Sequence, residues 1–146
     1  QSAQPIISYN YGAGAMDRVG RAFRLSVKVA AVCGIAACLG IALGARGVVS
    51  MFIDPDCAAG RLAISGLPVY SLCSVFFAIN ISFIGYYQSL ERATRAMLFT
   101  LMRGVLLLVP LFCVMPAIFP GWGIWAAIPA SEALTLAAIL FSARHK

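Results

Sequence analysis

A lone carboxylate, Glu132, interrupts the last apolar stretch of the sequence. That stretch is long enough to cross a bilayer, and a charged group at such depth is costly and usually faces protein or water. Desolvation disfavours the charged form of a carboxylate, and a group with this property suits a proton carrier. Glu132 is therefore the candidate for coupling to an ion. The alternative is a structural role, in which Glu132 pairs with Arg103 or accepts hydrogen bonds from hydroxyl groups.

One face of an apolar helix is predicted to carry three aromatic rings and an amide, at Phe76, Asn80, Phe83 and Tyr87. Aromatic rings attract cations, and an amide at membrane depth needs a partner or water. This face is predicted to line a cavity for aromatic or cationic solutes. The alternative is a face packed on neighbouring helices, with Asn80 hydrogen-bonded across to one of them.

The sequence carries no motif for catalysis or for binding a cofactor. GxSxG, HExxH and the phosphate-binding loop are missing, and no two carboxylates are spaced as an acid–base pair. The five cysteines lack CxxC or Cys/His spacing, and the only histidine is the penultimate residue. We therefore expect a protein that is not an enzyme and that holds no metal and no cofactor.

Composition decides the class of protein to which these residues belong. The chain has 146 residues, of which 62% are hydrophobic and 11% are charged, and its mean hydropathy is +0.92. Soluble domains of this size carry about 25% charged residues. The composition excludes an ordinary soluble enzyme, a nucleic-acid-binding protein and a disordered tail. It predicts an integral membrane protein whose partner is the lipid bilayer.

Four stretches are long and apolar enough for spanning helices, at about residues 25–47, 62–88, 95–116 and 122–142. Lipid offers no partner for free backbone groups, so we predict an all-α integral membrane fold. Residues 1–12 are predicted to be the end of a preceding helix, with Gly12 and Gly14 as stop residues.

Prolines and glycines inside the spans indicate local geometry. Pro110 and Pro129 each remove a backbone donor, and they are expected to bend the third and fourth spans. Gly40 and Gly44 form a GxxxG spacing, which lets helix backbones approach closely. The first span is therefore expected to pack through these two glycines.

Basic residues alternate with the spans. An excess of Lys and Arg precedes the first span, follows the second and ends the chain, and the other two loops have no such excess. This pattern is typical of cytoplasmic loops, so both ends are predicted to be cytoplasmic, and it accounts for the net charge of +6. Arg103 is near enough to the second of these basic loops to extend toward the membrane interface. Because the chain begins at Gln1 without a signal-peptide pattern, we expect a fragment of a longer protein.

Four segments resemble the multidrug and toxic compound extrusion (MATE) family of transporters. Residues 4–13 resemble its QPxxxYNYGA segment, and residues 87–93 are similar to its FQALGRA-like turn. Residues 101–110 are similar to its SLxRQ…IP pattern, and residues 123–132 look like the GVWxAxPxAE segment of its final helix. The likeness extends over nearly the whole chain and is closest to the bacterial branch that includes the MepA-type pumps.

The residues that carry this likeness are Gln4, Pro5, Tyr9, Asn10, Gly12, Gln88, Arg103, Pro110, Trp125 and Pro129. Two positions depart from the family pattern, since Glu91 stands where glycine is common and Gly104 stands where glutamine is usual. Some members bind a cation through an acidic residue in helix 10. Residues 62–90 contain no acid, so no sodium site is assigned here.

The resemblance implies a complete protein of twelve helices in two six-helix lobes. This chain would supply the end of helix 8 and helices 9 to 12, and the N-terminal lobe would be missing from it. The resemblance further implies a protein of the bacterial inner (plasma) membrane that exports small organic cations of amphipathic character in exchange for H⁺ or Na⁺. The alternatives are a lipid-linked oligosaccharide flippase of the same superfamily and a non-transporting membrane subunit.

Overall fold

The computed structural model describes residues 3–144, so the first two positions of the predicted helix tail and the last two residues of the chain lie outside the described part. Every regular element in that part is a helix. In chain order these are α1 (Ala3–Gly12), α2 (Met16–Leu43), α3 (Ala45–Ser50), α4 (Ala58–Ser71), α5 (Cys73–Ser89), α6 (Ala93–Leu101), a π-helix (Met102–Leu106), α7 (Leu108–Ile118) and α8 (Gly123–Arg144).

Four helical stretches are long and apolar enough to cross a membrane, namely Met16–Leu43, Ala58–Ser89, Ala93–Ile118 and Gly123–Ala143. The predicted all-α membrane fold with four spans is confirmed. The first span begins at Met16 rather than near residue 25, because helical hydrogen bonding continues through a basic segment that hydropathy leaves out. It ends at Leu43 rather than near residue 47, because the backbone leaves the helical conformation at Gly44.

The connection between α1 and α2 is a tight turn built on glycine. The first helix ends at Gly12, and Gly14 has a φ of +71°. This left-handed conformation is open to glycine at little cost. The predicted stop residues are therefore where the chain turns into the first span.

Two of the spans are interrupted. The second changes from α4 to α5 at Leu72. In the third, the Leu107 N–H donates to the Met102 carbonyl oxygen at 2.8 Å and closes the π-helix. Pro110 has no N–H, and its ring would crowd the Leu106 carbonyl. The π-helical turn ends at Leu106. The bends expected at Pro110 and Pro129 stay predictions.

The centre of the bundle is α5, which packs against α1, α2, α6 and α8. A buried apolar cluster at its C-terminal half consists of Ile84, Tyr87, Ala96, Phe99 and Ile139. The outer face of α2 exposes large apolar side chains such as those of Leu25, Val32 and Leu43. A helix that exposes such residues is suited to lipid contact.

The close approach of α2 and α5 occurs at Gly34 and not at the GxxxG pair. A Cβ on Gly34 would lie 2.9 Å from the Ser74 carbonyl oxygen, whereas a Cβ on Gly40 would meet nothing within 4 Å in the described part of the chain. Within the described residues the first span therefore packs closely through Gly34, and not through the predicted pair Gly40 and Gly44. Spacing identifies small residues, and the neighbouring helix determines which of them it touches.

Candidate functional site

Three polar side chains meet where α5, the π-helix and α8 pack together, and we call Asn80, Arg103 and Glu132 the buried polar network. The Asn80 Nδ2 group donates to Glu132 Oε2 at 2.8 Å and to the Glu132 carbonyl oxygen at 2.9 Å. Arg103 Nε lies 3.2 Å from Glu132 Oε1. The side chains of Arg103 and Glu132 are only 18% and 7% exposed, so the two charges neutralise each other away from solvent.

Arg103 is held in this position by the π-helix and by an aromatic ring. Its guanidinium carbon lies 4.5 Å from the centre of the Phe77 ring, a distance typical of cation–π contacts. The expectation that Arg103 extends to the membrane interface is wrong, because a buried carboxylate and a ring face are closer partners. π-Helical turns are frequent at functional sites, and this one carries the basic member of the network.

The hydroxyl groups near Glu132 in α8 do not bind its carboxylate, whose partners are Asn80 and Arg103. Ser131 Oγ donates to the Ile128 carbonyl oxygen at 2.9 Å, and Thr135 Oγ1 donates to the Ser131 carbonyl oxygen at 2.8 Å. These hydroxyl protons are bonded within their own helix, so they do not donate to Glu132. Of the structural alternatives, pairing with Arg103 is the one that the structure contains.

Two cavities border the network, and Arg103 lines both of them. The first, which we call the aromatic cavity, has a volume of about 250 Å³ and is lined by residues that include Tyr70, Cys73, Phe77, Arg103 and Glu132. The second, which we call the amide cavity, has a volume of about 420 Å³ and is lined by residues that include Gln4, Ser82, Gln88, Thr100 and Arg103.

The residues of the predicted aromatic face lie in several environments. Asn80 is fully buried and bonded across to α8, which is the arrangement of the packing alternative. Tyr87 is buried with its ring centre 5.6 Å from that of Phe99, and Phe83 makes an edge contact with Phe23 at 5.0 Å. Phe76 is half-buried. The role of this face in lining a substrate cavity stays a prediction.

Phe77, Tyr70 and Cys73 all line the aromatic cavity, and none of them is among the predicted site residues. The signal for Phe77 was available, because it precedes Asn80 by three residues and so lies beside it on the helix. Tyr70 and Cys73 lie on either side of the break at Leu72, which hydropathy does not reveal.

The family-motif residues are brought together only in part. Gln4 Nε2 donates to Gln88 Oε1 at 2.9 Å, so two motifs distant in sequence meet. Asn10 Nδ2 donates to the Ile6 carbonyl oxygen at 2.8 Å within α1. Tyr9 is 78% exposed, and Pro5 is also exposed.

These features define a multi-pass helical membrane protein that buries a charged pair beside two cavities. A family model described as MatE matches residues 1–114, which is more than half of the 146 residues. The chain therefore belongs to the MatE family, whose members are membrane efflux transporters and not enzymes. No curated protein and no solved structure matched the chain. The matched region ends before α8, so Glu132 lies outside it.

Proposed function

We propose that this chain is part of a multidrug antiporter that exports cationic amphipathic compounds in exchange for H⁺ or Na⁺. The observation that supports the proposal is the carboxylate of Glu132, which is buried in a span, paired with a cation and adjacent to a cavity. Ionisable groups inside membrane spans mark ion pathways and proton relays. A carboxylate that can exchange one cationic partner for another has the chemistry that coupled exchange requires.

The proposed mechanism is alternating access between this helix bundle and a second lobe of the complete transporter. Binding of the coupling ion to Glu132 in one state and release in the other would change the affinity for the drug. We place the transporter in the bacterial inner membrane, in the MepA-type branch. Both ends of this chain would lie in the cytoplasm, as the basic loops favour.

Charge at depth favours organic cations over a lipid-linked oligosaccharide as the cargo. A flippase for lipid diphosphates needs free basic groups to hold the phosphates. Arg103 is the eleventh of the 26 residues of the third span, and its charge is already matched by Glu132 at 3.2 Å. A diphosphate would have to displace the carboxylate from the guanidinium, and an organic cation would have to displace the guanidinium from the carboxylate. The ring of Phe77 beside the pair favours the cation, because an aromatic face attracts positive charge.

Glu132→Gln in the complete transporter is expected to lower the efflux of ethidium, a cationic amphipathic dye, by about tenfold. This change lies within the range that coupling free energies of about 1–3 kcal/mol produce. The amide is similar in size to the carboxylate and can still accept a hydrogen bond from Asn80, but it cannot take up a proton and it lacks the negative charge that attracts Na⁺. The measurement is efflux from preloaded cells over a series of external pH values. Glu91→Gln is the matched control, because Glu91 is exposed in the turn before α6. Unchanged efflux with an unchanged pH dependence would remove Glu132 from the mechanism.

Cells that produce only these 146 residues are expected to show no ethidium efflux, because the bundle has no second lobe against which to close a cavity. The measurement compares them with cells that produce the complete transporter, at matched membrane levels. Sustained efflux that an uncoupler abolishes, from the 146 residues alone, would contradict the two-lobe mechanism.

A further inference from the structure

We propose that Phe77 and Glu132 form a binding site for a small organic cation in the aromatic cavity, and that Arg103 occupies this site as a tethered competitor. The inference rests on the proposed function, and it names the place and the competitor for the exported cation. It requires that the site holding the Arg103 guanidinium also suits other cations. It also requires a second position in the structure for that guanidinium.

The partners of Arg103 have the chemistry that recognises organic cations. The ring of Phe77 lies 4.5 Å from the guanidinium carbon, and the carboxylate of Glu132 lies 3.2 Å from Nε. An aromatic face combined with a negative charge binds ammonium and guanidinium groups in general. Tyr70 adds a second aromatic side chain to the lining of the same cavity. Its volume of about 250 Å³ suits a small cation, and departure of Arg103 would enlarge it.

The amide cavity offers the guanidinium a second position. Arg103 lines both cavities, and the proposal requires that rotation about its side-chain bonds carry the guanidinium from the aromatic cavity to the amide cavity. The amide cavity contains the Gln88 side chain, whose oxygen already accepts a hydrogen bond from Gln4. The hydroxyls of Ser82 and Thr100 donate to their own helices, which leaves their oxygens free to accept. A guanidinium has five N–H donors and can be satisfied by such acceptors.

The buried polar network is not saturated with Arg103 in place. Asn80 Oδ1 is buried and has no hydrogen-bond partner among the described residues. An unpartnered buried acceptor is unfavourable, and a network that served only stability would normally satisfy it. The open acceptor therefore favours a network whose partners exchange.

Competition by a tethered group sets the size of the effect. A cation can bind only in molecules in which Arg103 has left the site. If these make up about 0.1–10% of all molecules, the apparent affinity is reduced to about 0.1–10% of the affinity of the open site. Removing the charge of Arg103 is therefore expected to strengthen cation binding by about tenfold or more. A purely structural ion pair predicts the opposite, because its loss would disorder the site.

The test is equilibrium binding of radiolabelled tetraethylammonium to the purified complete transporter and to its Arg103→Gln variant. The expected result is a Kd about tenfold lower in the variant. Adding Glu132→Gln to that variant should abolish the gain, and adding Phe77→Leu should reduce it. Arg95→Gln, a change of the same type on α6, should leave the Kd unchanged. An Arg103→Gln variant that is folded and binds no tighter than the wild type overturns the proposal.

A measurement on the unaltered protein covers the case in which Arg103→Gln fails to fold. Cys73 lines the aromatic cavity, so bound tetraethylammonium should slow its labelling by a neutral methanethiosulfonate, read by peptide mass spectrometry. Equal labelling of Cys73 with and without tetraethylammonium, at whatever rate, overturns the proposal. Ethidium efflux by the wild type separates the two failures. If efflux is present and these binding results fail, only the competitor site is wrong, whereas absent efflux refutes the proposed function itself.

Discussion

Replacing Glu132 by alanine in the complete transporter is expected to lower the free energy of unfolding by about 3 kcal/mol, near the lower end of the cost of leaving one member of a buried ion pair alone. Arg103 loses the carboxylate 3.2 Å from its Nε while its side chain is only 18% exposed. Asn80 keeps one acceptor, because the carbonyl oxygen of residue 132 remains. We expect the lower end of the range because the guanidinium can turn toward the amide cavity. The measurement is thermal and denaturant unfolding in detergent.

Two further variants make this prediction specific. Arg103→Met combined with Glu132→Ala removes both charges, and most of the stability should return, since buried pairs are often replaceable by apolar groups. Asp56→Ala is the matched control, because Asp56 pairs with Arg46 at 3.1 Å but both side chains are more than 70% exposed. Its cost should be at most about 1 kcal/mol. If Glu132→Ala is as stable as the wild type, the carboxylate is not needed to hold Arg103.

Hydropathy is sufficient to predict the number of spans. Placing a charge in lipid costs a large free energy, so charged residues are rare in spans and the spans can be recognised from residue types alone. Hydropathy could not predict where helices end. The basic start of α2 is helical outside any apolar stretch, and the break at Leu72 lies within one. Boundaries of this kind depend on backbone hydrogen bonds, on glycine and proline positions and on neighbouring helices. The packing glycine, Gly34 rather than Gly40, shows the same dependence.

Each of the three residues of the buried polar network stands out in the sequence. Their contacts are predicted only in the structural alternatives, in which Glu132 pairs with Arg103 and Asn80 bonds to a neighbouring helix. Glu132 and Asn80 were conspicuous because polar groups are rare in apolar stretches. Which partner each would find depends on the rotation of the helices about their axes, and that rotation is fixed by packing. The π-helix adds to this difficulty, because it changes the direction in which Arg103 projects and is not visible in hydropathy.

The contact between Gly66 of α4 and Trp125 of α8 leads to the second large prediction. A Cβ on Gly66 would overlap the indole ring of Trp125. Gly66→Ala is therefore expected to lower the free energy of unfolding of the complete transporter by about 3 kcal/mol. This value is at the upper end of overpacking costs, because the rigid indole ring cannot change shape to make room as a flexible side chain can. The measurement is again unfolding in detergent.

Compensation and a neutral control distinguish overlap from a general effect of losing glycine. Trp125→Leu should restore part of the stability of Gly66→Ala, since the smaller side chain leaves room for the methyl group. Gly40→Ala should be neutral or stabilising by about 0.5–1 kcal/mol, because its Cβ meets no atom of the described residues within 4 Å and alanine favours the helix. A Gly66→Ala protein as stable as the wild type would contradict the close packing of α4 on α8. Trp125 and Glu132 share α8, so displacing the indole should also lower ethidium efflux by disturbing the buried polar network.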